Sequence, residues 1–152
     1  MSSLIPENRL KHMQGVAKYM YENASKYGLD SQKMYTIGLL HDIGYIKGDA
    51  KDHEVYGANL LSGIFECDNK YIDAIRNHAL TANEYTKKYN CKISNIPKEL
   101  LLLWEADLNV NAEGDCVGFD KRLEDIGNRH GFGSVAYINA KERVEFLKDI
   151  AE

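Results

Sequence analysis

The chain has 152 residues, 44% hydrophobic and 28% charged, with a net charge of −4. That is one soluble domain's worth of sequence, long enough for a real core. The acidic balance excludes a basic footprint for nucleic-acid backbones, and no apolar run approaches the ~20 residues of a membrane span. The three cysteines, Cys67, Cys91 and Cys116, form no C-x-x-C pair, so reduced thiols are expected rather than a zinc knuckle or disulfide framework. Pro6, Glu7 and Arg9 precede any apolar run. This predicts no signal peptide and a cytoplasmic location. Two prolines and few alternating β-branched runs favour an all-α fold, read as one domain over 1–152 with no linker or repeat.

The first helix is expected from Pro6 to Tyr27, with Leu10, Met13, Ala17, Met20 and Ala24 as its apolar stripe and Gly28 closing it. His12 lies at the stripe's edge. Asp30 or Ser31 can cap the second helix, in which Met34, Ile37, Gly38 and His41 stand at i, i+3, i+4 and i+7. His41 therefore falls on the buried face with Asp42 beside it, and Gly44 is placed to end the helix. A polar connector follows. His53, Gly57, Leu60, Leu61 and Ile64 define the inner face of a third helix. Asp68 or Asn69 can cap a fourth, where Tyr71, Ile75 and His78 share a face.

The stretch from Thr81 to Asn95 is polar and weakly periodic and reads as a loop with one irregular turn. Pro97 starts a fifth helix, with Leu100, Leu103, Trp104 and Asp107 on one face. A glycine-rich loop covers Asn109 to Gly118. Two more helices are expected, about Asp120–His130 and Ser134–Ile150, ended by Gly131 and capped by Ser134.

One pattern crosses these elements. Five successive helices each put a histidine or aspartate on or beside the inner face: His12, His41 with Asp42, His53, His78 and Asp107. Buried singly, each would need its own partner. One metal centre satisfies all of them together. Their mixed nitrogen and oxygen donors suit a divalent transition metal, namely iron, manganese, cobalt or nickel. His130, beside Gly131, reads instead as a helix-end residue.

The order His12 … His41-Asp42 … Asp107, with the wording Leu39-Leu40-His41-Asp42-Ile43-Gly44, resembles the H…HD…D pattern of the HD superfamily of metal-dependent phosphohydrolases. The resemblance covers about residues 9 to 110 and leaves the C-terminal helices (about 119–150) outside. It implies a compact helical bundle with a metal site between core helices. It also implies a first metal on His12, His41, Asp42 and Asp107. In the two-metal branch, His53 and His78 hold a second metal, with Asp42 bridging. The segments His53-Glu54-Val55-Tyr56-Gly57-Ala58 and Arg76-Asn77-His78 are similar to those of bacterial diadenosine-polyphosphate hydrolases. The chain departs from them at Ala79-Leu80-Thr81-Ala82, and at Tyr45, where a lysine is usual.

The expected activity is hydrolysis of a phosphate ester or anhydride in a small phosphorylated metabolite such as a nucleotide. Asp42 and His41 would be central to catalysis, and Lys47, Lys51 and Arg76 would contact substrate phosphate. Two alternatives carry the same ligands: a mixed-valent di-iron oxygenase, and a metal-stabilised binding or sensor domain without turnover. A homodimer is compatible with the sequence.

Overall fold

The computed structural model describes residues 7–44, 53–64 and 69–151. Lys47, Lys51, Tyr45, Cys67 and Asp68 lie outside the described residues. The described chain is helical: α1 (Glu7–Asn23), α2 (Ser31–Leu40), α3 (His53–Ile64), α4 (Asn69–Asn77), α5 (Ala82–Tyr89), α6 (Lys98–Asp107), α7 (Phe119–His130) and α8 (Val135–Ile150). Its one β-type pairing among these residues is the isolated bridge between Val110 and Cys116.

α1 and α2 pack along each other, α3 packs on α4, and α6 touches α1, α2, α4 and α8. The core between them holds Met20, Met34, Ile75, Leu100, Leu103 and Trp104, all essentially inaccessible. Burying such side chains contributes about 1.5–3 kcal/mol each. α7 and α8 pack together, and α8 joins the core through Ala140, Val144 and Leu147.

The caps follow the expected chemistry. Asp30 accepts a hydrogen bond from Lys33 N at 3.0 Å and starts α2. Ser134 does the same for α8 through Tyr137 N at 3.2 Å. A 3₁₀ turn over Ala24–Tyr27 ends the α1 segment, closed by Gly28 at φ 70°.

Two expectations change. The stretch after Thr81 is a helix, not a loop. Thr81 Oγ1 accepts from Glu84 N at 3.2 Å, Glu84 Oε1 accepts from Thr81 N at 2.9 Å, and Ala82 and Tyr85 are buried. This capping box, with two residues anchoring α5, outweighs the weak apolar pattern. Gly44, second, does not end α2, which stops at Leu40 with His41 as its C-cap. Its role is close approach. A Cβ at Gly44 would overlap the carbonyl of His53, and one at Gly57 would lie 2.9 Å from Gly44 N. The paired glycines let α3 begin against the turn that carries Asp42.

Candidate metal centre

The six predicted ligand residues converge. His12 (1% exposed), His41 (0%), Asp42 (3%) and His78 (3%) are buried, and the side chains of His53 and Asp107 are 12% and 16% exposed. Two groups have donor atoms mutually within 4.8 Å: His12, His41 and Asp42, and then Asp42, His53 and His78. Asp107 joins the first, with Oδ1 2.8 Å from His12 Nε2 and 3.5 Å from His41 Nε2.

Asp42 divides its oxygens between the groups. Oδ2 is 3.1 Å from His41 Nε2 and 3.9 Å from His12 Nε2. Oδ1 is 3.1 Å from His53 Nε2 and 3.4 Å from His78 Nε2. A carboxylate placed in this way can serve two cations at once.

Each imidazole is oriented from behind. His12 Nδ1 faces Asn111 O at 3.1 Å, His41 Nδ1 faces Gly38 O at 2.7 Å, and His78 Nδ1 faces Ile75 O at 2.6 Å. His53 Nδ1 faces Glu54 Oε2 at 3.2 Å. A carbonyl acceptor at Nδ1 places the proton there, so Nε2 presents its lone pair inward. The His12 contact depends on α1 lying against the 109–118 loop. A Cβ at Gly15 would overlap the carbonyl of Gly114, which adopts φ 86°.

The donor set fits a divalent cation on a direct structural test. Among the described residues, fully buried His41 Nε2 finds no hydrogen-bond partner, although it points between two carboxylates. His53 Nε2 and His78 Nε2 approach to 3.2 Å. Buried lone pairs facing one another are costly unless a cation lies between them.

The electrostatics agree. Burial pushes the carboxyl of Asp42 up, but the imidazoles of His41, His53 and His78 outweigh it and hold the group well below the usual range. Asp107 behaves alike through His12 and His41. Burial opposes charge on His41, yet Asp42 and Asp107 together raise it to about 10. The field at the centre of the cluster therefore calls for positive charge.

A cleft of about 380 Å³ opens onto the cluster, reaching Asp42, His53, His78 and Asp107. Its outer wall carries Arg122, Arg129, Ile126 and Arg143 from α7 and α8, and Arg9 from α1 stands 3.6 Å from Asp42 Oδ2. Their charge alone does not single these arginines out in the sequence. The signal was present in Arg143, which sits on the apolar stripe Ala140, Arg143, Val144, Leu147 at helical spacing. Arg76, expected at substrate phosphate, is not among the cleft residues and is held by Asp73 and Asn59. His130, the last residue of α7, lines the cleft but stands outside both donor groups.

Behind the cluster, Trp104 Nε1 and Arg143 Nη1 both donate to His78 O at 3.0 Å, and Arg122 Nε donates to Asp107 O at 3.1 Å. These bonds fix the two ends of the site to the core.

Among known proteins, the family model described as the HD domain matches residues 9–110, which hold all six converging residues and exclude α7 and α8. No curated protein and no solved structure matches the chain. With the matched segment spanning most of its length and the H…HD…D residues gathered at one buried point, this chain belongs to the HD-domain family.

Proposed function

We propose that the chain is a metal-dependent phosphohydrolase that cleaves a phosphate ester or anhydride of a small phosphorylated molecule. The HD family consists mostly of metal-dependent hydrolases, which supports the class of reaction. The observation that carries the reading is the division of Asp42 between two histidine sets at the floor of an arginine-walled cleft.

His12, His41, Asp42 and Asp107 would hold one divalent cation, and Asp42, His53 and His78 a second. Bound there, such cations lower the pKa of water and neutralise phosphoryl oxygens. Asp42 holds the two halves of the site in register, and its 3% exposure keeps bulk water from competing for the carboxylate. His41 completes the first set from the buried side. Nitrogen and oxygen donors without thiolate favour manganese, iron, cobalt or nickel.

The test is elemental analysis of freshly purified protein together with turnover of a phosphoester and nucleotide panel in manganese. One to two ions per chain and phosphate release are expected. Metal-free protein that chelator leaves thermally unchanged would remove the reading. Oxygen uptake with iron, in place of phosphate release, would assign the oxidative chemistry known on the same ligand set.

A further inference from the structure

One wall of the cleft that opens onto the carboxylate–histidine cluster carries three arginines, and the match to the HD family does not cover the helices that supply them. Arg122 is 9% exposed on α7, Arg129 is exposed one turn beyond its neighbour Ile126, and Arg143 is 8% exposed on α8. All three line the same cleft as Asp42, His53 and His78.

Their structural duties are only partly filled. Arg143 donates through Nε to Asn139 at 2.7 Å and through Nη1 to His78 O, with Asp107 Oδ2 at 3.7 Å. Among the described residues, Arg122 uses Nε alone, on the carbonyl of Asp107. Among the described residues, neither Arg122 nor Arg129 has a carboxylate at ion-pair distance. Arg9, Arg122, Arg129 and Arg143 stand together along this one cleft. Like charges crowded into one cleft of a net-acidic protein are unfavourable in isolation, and an anion seated among them reverses the sign.

Resting on the phosphohydrolase reading, we propose that Arg122, Arg129 and Arg143 receive a second phosphoryl group of the substrate. The scissile phosphate would lie on the Asp42 side of the same cleft. The substrate class is then a phosphoanhydride or a doubly phosphorylated small molecule, not a simple monoester. Three guanidiniums exceed what a single carboxylate can use, whereas a phosphoryl group offers three oxygens and up to two charges to such forks. Beside the arginines, this wall carries aliphatic Ile126, Val135 and Ala140 and polar His130 and Asn139.

The experiment is calorimetric titration of manganese-loaded protein, with metal content checked afterwards, using three probes: methylphosphonate, phosphonoacetate and methylenebisphosphonate. Wild-type protein should prefer methylenebisphosphonate over both others. Arg129→Gln changes an exposed side chain and should weaken the bisphosphonate about tenfold, the scale of one charge-assisted hydrogen bond. Arg122→Gln should weaken it at least as much, while methylphosphonate stays within about twofold in Arg129→Gln, because it binds through the metal side alone.

Unchanged bisphosphonate affinity in the variants overturns the proposal, as does an equal loss for bisphosphonate and methylphosphonate in Arg129→Gln. Phosphonoacetate bound as tightly as bisphosphonate by the wild type overturns the phosphoryl assignment. Arginine-dependent bisphosphonate binding in a protein that hydrolyses no phosphoester would keep the anion wall and remove the phosphohydrolase reading. Turnover with arginine-independent binding would do the reverse.

Discussion

At the residue scale, the site is specified by which nitrogen of each histidine is already used. Carbonyls hold Nδ1 of His12, His41 and His78, and Glu54 holds Nδ1 of His53, so four Nε2 atoms face one small volume. Asp42 is the shared member, and its loss should empty both halves. Asp42→Ala is expected to lose bound metal and turnover together, read by elemental analysis and phosphate release. His53→Ala or His78→Ala should instead lower metal from about two ions to about one with the fold intact, since only one ligand set is broken. Unchanged stoichiometry in those variants, with only a raised KM, would mean that the two histidines contact substrate and hold no metal. All six converging residues were legible in the sequence, because a histidine or aspartate at core spacing on a helix stands out. Arg122 and Arg143 were not. Arginine is so common on solvated faces that its place on an apolar stripe carries little signal, and only packing shows that α7 and α8 turn those faces to the cluster.

At the scale of elements, helix order and caps were readable from Asp30, Gly28, Pro97 and Ser134, whose backbone preferences act locally. α5 was hidden for a physical reason. It is eight residues long and buries only Ala82 and Tyr85, so periodicity carries little signal. Its stability rests instead on the reciprocal Thr81–Glu84 bonds and on a left-handed C-cap at Asn90, φ 49°. Thr81→Ala removes one half of that box and should cost about 1 kcal/mol of unfolding free energy. Denaturant melts of the variant would show this as a lower midpoint at constant slope. A midpoint equal to the wild type would mean that burial of Tyr85 alone holds α5. The turn at Gly44 is not legible locally, because glycine after a helix usually marks its end. Here the constraint is long-range, a clash with His53 that no local pattern encodes.

At the scale of the whole molecule, the buried charges couple folding, protons and metal. In the metal-free chain, Asp42 and Asp107 raise His41 from 6.5 to about 10 against its burial. A raised folded value means that the charged imidazole stabilises the fold fully below about pH 6.5, and that this contribution fades as pH climbs toward 10. A bound cation requires His41 neutral, so the metal displaces that proton and the loaded protein lacks this alkaline loss. The gap in stability between manganese-loaded and chelated protein should therefore widen with pH, by about 1.4 kcal/mol per unit for one displaced proton. The depressed carboxyls act in the opposite direction and elsewhere. Their contribution is present above about 3.8 and is lost only as pH falls below it, so they do not disturb the window from 6.5 to 8.5. Thermal melts of both forms across that window decide the matter. A constant gap would mean that no proton leaves when metal binds, and would separate His41 from the ligand set even though it sits fully buried between two carboxylates.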